Sequence, residues 1–158
     1  MQFSSDDITF RMAQLRDCKI YFDWANDPVV RKNAHNPAPI GWDDHVKWFN
    51  NKLESETLML IFFDGKVPVG QLRVDSVGKS GLIDFSVDEE YRGRNIGRSM
   101  LTSLIKLAKV GRLFNSLNAQ VKSDNISSIK SFTTADFTVI SNKIVNAVDC
   151  KVFEYVLK

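Results

Sequence analysis

The sequence predicts an α/β (α+β) protein with a mixed, mainly antiparallel central sheet of about seven strands and about four flanking helices. Three observations predict it. Short apolar or alternating runs of strand length are interspersed with longer stretches of helical spacing. Asp64-Gly65-Lys66 joins two apolar runs, and Asp-Gly in that setting signals a hairpin. The segment Leu82 to Val87 runs through a turn rich in glycine and arginine into the helical pattern Met100-Leu101-Leu104-Ile105-Ala108.

In chain order, Ile8-Thr9-Phe10-Arg11-Met12 alternates as a first strand. Residues 14–26 read as a helix carrying Leu15, Ile20, Phe22 and Trp24, which Asp27-Pro28 stops unless it begins the next turn. Residues 33–39, with their Asn and Pro content, form a loop. Residues 42–53 form a second helix with Val46, Phe49 and Leu53 on one side. Strands follow at 57–63, 67–74 and 81–87, the last two separated by the turn Ser76-Val77-Gly78-Lys79-Ser80. After the 100–108 helix come a strand at 116–122, a helix at 126–135, and closing strands at 137–141 and 151–157. No repeat, linker or low-complexity segment interrupts this order, so residues 1–158 read as a single domain.

Composition excludes several classes. Hydrophobic residues make up 44% of the chain, enough for a core. The net charge is +2, which calls for no nucleic acid and no membrane surface. No apolar run reaches membrane-spanning length. Residues 1–7 lack the basic and apolar regions of a signal peptide. Cys18 and Cys150 have no metal or redox spacing and read as reduced thiols of a cytoplasmic protein; no metal site is expected.

Basic character is local instead. Arg92, Arg94 and Arg98 cluster around Gly93 and Gly97, between a strand and a helix start. Unpaired N–H groups at a helix N-terminus favour phosphate, glycines permit close approach, and arginines add charge-assisted hydrogen bonds. No Gly-Lys-Ser/Thr closes the loop as in a P-loop, and no three-glycine dinucleotide turn is present. With its lead-in Val87-Asp88-Glu89-Glu90-Tyr91, the run Arg92-Gly93-Arg94-Asn95-Ile96-Gly97 resembles the acetyl-CoA loop of the GNAT N-acetyltransferases. That family's pattern is Arg/Gln-x-x-Gly-x-Gly/Ala. Asn95 stands at the middle glycine, and asparagine tolerates positive φ.

The resemblance extends along nearly the whole chain. It implies a GNAT fold splayed after the fourth strand, with the pantetheine arm of acetyl-CoA in the opening. It implies cofactor contacts from Phe85, Val87, the loop Arg92, Gly93, Arg94, Asn95, Ile96, Gly97, Arg98 and Ser99, and from Asn125, Ser128 and Phe132. Asn125 and Ser128 match the family's Asn-x-x-Ala/Ser, where Asn125 either bonds pantetheine or caps the helix. Phe132 stands where many members carry a Tyr that protonates the leaving thiolate. Either another group such as Tyr91 or a water supplies that proton, or the thiolate leaves unassisted.

On the acceptor side, candidates for acid–base work are Asp84, Ser86 and His35, with His45 and Asp75, at the end of the third strand, also in reach of that half. Alternation places Asp84 and Ser86 on one strand face and Phe85 and Val87 on the other. Residues 24–31, Ile40, His45, Trp48-Phe49 and 68–75 resemble one subgroup, the nucleotide-sugar N-acetyltransferases of bacterial pseudaminic (nonulosonic) acid synthesis. The start of that pattern is shared with ribosomal-protein N-terminal acetyltransferases. The resemblance implies a UDP-linked amino-deoxy sugar as small-molecule acceptor, met by Trp24, Arg31, His45 and Arg73. Family domains are often homodimers; no interface is legible here.

Overall fold

The computed structural model describes residues 8–157; residues 1–7, with the signal-peptide reading made on them, and residue 158 lie outside the described residues. The strands are β1 (Ile8–Met12), β2 (Leu58–Asp64), β3 (Val67–Val77), β4 (Ser80–Val87), β5 (Ser116–Lys122), β6 (Thr138–Val145) and β7 (Val148–Val156). The helices are α1 (Cys18–Ala25), α2 (Pro28–Asn33), α3 (Trp42–Glu54), α4 (Ile96–Gly111) and α5 (Ile126–Thr134). Strand order is β1-β2-β3-β4-β5-β7-β6, antiparallel except where β4 meets β5. This strand order, mixed and mainly antiparallel, matches what the GNAT resemblance implies.

The two sheet faces carry separate cores, because alternate residues of a strand point oppositely. Leu60, Phe62, Leu72 and Val74 pack beneath Met100, Leu101, Leu104 and Ala108 of α4. Met59 and Ile61 instead pack against Tyr21, Trp24 and Phe49 of α1 and α3. On β4, Asp84 and Ser86 pair with Arg73 and Gln71, while Phe85 pairs with Leu72. Asp84 and Ser86 therefore belong to the α1/α3 face, and Phe85 and Val87 to the α4 face.

The feature that makes a site is the parting of β4 and β5. They pair in parallel only at Ser80, Gly81 and Leu82 with Ser116, Leu117 and Asn118. Beyond that point residues 83–87 keep β3 on one side, and on the other their backbone edge borders a cavity.

Several boundaries differ from the sequence reading: β3 runs to Val77 and β4 starts at Ser80, so the turn read over 76–80 shrinks to Gly78-Lys79, and α4 runs from Ile96 to Gly111. The helix expected over 14–26 begins as a 3-10 turn, Leu15–Asp17, because the Asp17 carboxylate takes hydrogen bonds from Arg11 and from the Gln14 N–H. Asp27-Pro28 does not only stop it. Asp27 accepts from the N–H groups of Val29 and Val30 and starts α2, with Pro28 at its first position, which makes five α-helices among the described residues. The last two strands are longer than read and meet in a tight turn at Asn146 and Ala147, both at positive φ. Among the described residues no helix is long and apolar enough to cross a membrane.

Candidate active site

Two cavities, each of about 360 Å³, flank the β4 strand. The first fills the β4–β5 opening. It is lined by residues 83–87 of β4, residues 119–122 of β5, Asn125 with Ser128 and Phe132 of α5, Arg92, and Val29, Val30, Arg31 and Asn33 of α2 with Ala34 and His35 after it. The second lies on the α1/α3 face, lined by Tyr21, Ile40, Asp44, His45, Trp48 and Gln71 among others. Val30, Arg31, Arg73, Asp84 and Ser86 line both. The cavities therefore meet at the side chains of Asp84 and Ser86.

The loop after β4 is built to leave amides free. Gly93 and Asn95 adopt φ of 78° and 60°. Asn95 begins α4 in the left-handed region, and its side chain makes no cap hydrogen bond. The first helical bond is Ser99 N–H to the Asn95 carbonyl, so the N–H groups of Ile96, Gly97 and Arg98 have no acceptor within the helix. Gly97 serves packing: a Cβ there would lie 2.7 Å from Ser131 Oγ and 3.1 Å from Phe85. The Ile96 side chain is buried in the core, and Gly93, Arg94 and Arg98 are exposed. Arg94 lies over the Tyr91 ring, 5.0 Å from its centroid.

Arg92 lines the first cavity, yet its Nη2 is 2.7 Å from the Asp27 carboxylate. That contact, with the Val29 and Val30 amides, holds the Asp27 carboxyl below the usual carboxylate range against the effect of burial, the largest single influence. Arg31, Arg73 and Lys122 also border this cavity, against one carboxylate, Asp84. Its charge suits a polyanionic ligand.

Phe132 is 2% exposed and sits among Phe85, Phe137 and Phe153 at centroid distances of 5.1–5.5 Å. This position offers no proton. Tyr91 lines neither cavity. Asn125 Oδ1 accepts from the Ser128 N–H, so it caps α5 while bordering the first cavity.

Four expectations on the acceptor side meet different fates. Trp24 was expected at the acceptor, but it lines neither cavity; its buried ring belongs to the α1/α3 core and its Nε1 donates to Asp88 at 2.9 Å. Arg31 lines both cavities but is committed to backbone, Nε to the Ala25 carbonyl and Nη1 to those of Asn36 and Ala38. His45 borders the second cavity, buried among the rings of Phe22, Trp42, Trp48 and Phe49, and donates to the Cys18 carbonyl. Burial pulls its pKa down, partly opposed by that bond. Arg73 lies over the Trp48 ring and pairs with Asp75 and, at 3.5 Å, with Asp84.

His35 reaches the first cavity from the α2 side; its buried Nδ1 has no hydrogen-bond partner among the described residues. Ser86 is buried and accepts from Gln71 Nε2 at 3.1 Å, which leaves its hydroxyl proton free to be aimed. Tyr21, Asp44 and Gln120 were not singled out from sequence. Only Gln120 had a local sign, its place opposite Ala119 and Val121 in an alternating strand.

Residues 19–137, three quarters of the chain, match the model of the acetyltransferase (GNAT) family. No curated protein matches the chain. Among solved structures, yncA from Salmonella typhimurium, solved with acetyl-CoA, is 20% identical with a TM-score of 0.79, over 96% of this chain and 95% of its own. The spermidine N-acetyltransferase of Vibrio cholerae, solved with CoA and spermine, is 12% identical with a TM-score of 0.84, over 96% of each chain. The ribosomal-protein-alanine N-acetyltransferase of Brucella melitensis is 20% identical with a TM-score of 0.81, over 94% of this chain and 99% of its own.

Proposed function

This chain belongs to the acetyltransferase (GNAT) family and is an N-acetyltransferase, and on that premise we propose that its acceptor is the amine of a nucleotide-linked amino-deoxy sugar. The observation that carries the reading is the meeting of two cavities at Asp84 and Ser86. Acetyl-CoA enters through the β4–β5 opening, its pyrophosphate on the free amides of Ile96 to Arg98 and its pantetheine arm along β4 and α5. The acceptor enters from the α1/α3 face. The acceptor cavity holds Arg31 and Arg73 together with Asp44 and Asp84 beside Trp48 and Tyr21, a mix of cations, carboxylates and rings that suits a small molecule carrying both a phosphate and an amine. The two free thiols, Cys18 and Cys150, fit a cytoplasmic setting.

Chemically, the amine nitrogen attacks the thioester carbon, a C–N bond forms, the C–S bond breaks, and CoA leaves as thiolate. Asp84 orients the amine and takes its proton, directly or through water, and His35 lies across the same cavity as the other base candidate. The Ser86 hydroxyl, held by Gln71, faces the reacting centre. With phenylalanine at 132, the thiolate departs without a side-chain acid, which a thiol of pKa about 8.5 tolerates.

Thiol release from acetyl-CoA, measured against a panel of UDP-linked amino sugars, spermine, an aminoglycoside and peptides with free N-termini, tests this. Release above hydrolysis with a UDP-amino sugar, and weaker release with peptides, is the expected result. Acetylation of peptides alone would overturn it in favour of a protein N-terminal acetyltransferase. No release with any amine would leave an acyl-CoA-binding regulator.

A further inference from the structure

The carboxylate at the junction is not held by its own strand alone. Asp84 exposes 59% of its side chain, and its ion pair is with Arg73 Nη1 at 3.5 Å. Arg73 is fixed on two further sides. Its guanidinium carbon lies 5.2 Å from the Trp48 ring centroid, and its Nε donates to Asp75 Oδ2 at 3.1 Å. Asp75 is fixed in turn: its Oδ1 accepts from Lys52 Nζ at 2.7 Å and from Thr57 Oγ1 at 3.1 Å. Asp75 borders neither cavity.

A guanidinium is a planar fork, so an acid gripping its Nε edge and a ring against its face leave it one orientation. Here that orientation aims Nη1 at Asp84. We propose that Asp75 is a positioning residue for the acceptor: it locks Arg73, and through Arg73 it sets where the Asp84 carboxylate meets the amine. Resting on the role given to Asp84 above, this assigns to the site a layer that no cavity contact shows. Without Asp75 the Arg73 head swings, either covering the Asp84 carboxylate fully or leaving it unguided. Arg73 also lines the cavity given to acetyl-CoA, but its partners are Asp75, Asp84 and Trp48 and include no residue of the 92–98 loop, so the pyrophosphate end of the donor is left in place.

The test is initial-rate kinetics of Asp75→Asn with whichever amine the wild type acetylates. The acceptor KM rises roughly tenfold or more, as for other hydrogen-bonded supports of a reacting group, and the acetyl-CoA KM stays within about twofold. Asp75→Glu restores part of the loss. In an Asp84→Asn background the same substitution adds nothing, because its target is gone. Thr57→Val, a milder change at the same carboxylate, moves the acceptor KM in the same direction. Equal loss for both substrates, or additive losses in the double variant, would overturn the proposal.

A second readout needs no acceptor and so separates this idea from the choice of substrate. The Arg73 Nε–Hε NMR signal, assigned with Arg73→Lys, persists in Asp84→Asn and is lost or strongly shifted in Asp75→Asn. A signal unmoved by Asp75→Asn would sink the proposal whatever the acceptor is.

Discussion

Asn95 sits at φ 60° and ψ 22° and starts α4 without capping it. A β-branched residue pays most for left-handed backbone, and glycine pays nothing. Asn95→Gly should therefore keep both stability and acetyl-CoA KM, whereas Asn95→Val should lose about 1–2 kcal/mol of stability and raise that KM. Thermal unfolding and initial rates check this; equal behaviour of the two variants would mean the loop does not depend on that backbone shape. The positive φ was legible because asparagine stands where the family carries glycine. The role of Trp24 was not: an indole in an amphipathic segment looks the same whether it meets a ligand or, as here, Asp88, 64 positions away in sequence.

At the scale of elements, α2 changes the meaning of a motif. Trp24-Ala25-Asn26-Asp27-Pro28-Val29-Val30-Arg31 looks like an acceptor signature, but each polar member builds structure. Asn26 exchanges two hydrogen bonds with the Ile40 backbone, Asp27 caps α2, and Arg31 ties residues 25, 36 and 38 together. A clasp whose polar groups are spent on structure carries little information about the acceptor. Asp27 also holds Arg92, so α2 and the loop after β4 share one ion pair. Arg92→Ala should raise the KM of acetyl-CoA and also that of the acceptor, since Val30 and Arg31 of α2 line both cavities. Arg98→Ala, at an exposed position, should raise the acetyl-CoA KM alone. Initial rates with each substrate varied in turn measure both; an unmoved acceptor KM in Arg92→Ala would show that the pair does not link the two sides.

For the whole molecule, acid stability separates two groups of side chains. His45 is buried in the α1/α3 layer with its pKa lowered, so below about pH 6.5 the unfolded chain binds a proton that the folded chain resists. Stability then falls as pH drops through that window. Asp17 and Asp75 are held below their ordinary values; both carry a desolvation cost from burial that their hydrogen bonds and cationic partners outweigh. Their contribution is complete above about pH 4 and is lost as pH falls through the lowered folded values. The midpoint of thermal unfolding should decline in two limbs, and His45→Gln should flatten the upper one only. A wild-type midpoint constant from pH 7 to 5 would count against a neutral, resisted His45.

The sequence by itself determined the order of strands and helices, α2 apart, and the strand–glycine–helix loop at 92–98, since periodicity, turn chemistry and such a run are local signals. The parting of β4 from β5, the pairing of Arg92 with Asp27, and the cavity on the α1/α3 face were decided by tertiary structure alone. That cavity draws on Tyr21, Asp44, His45, Trp48, Gln71 and Asp84, which come from α1, α3 and two neighbouring strands. Strand alternation put Asp84 and Ser86 on one face; only packing of α1 and α3 over that face made it the wall of a cavity. A local pattern records how a segment folds, whereas a cavity records which faces are left apart once all segments have packed.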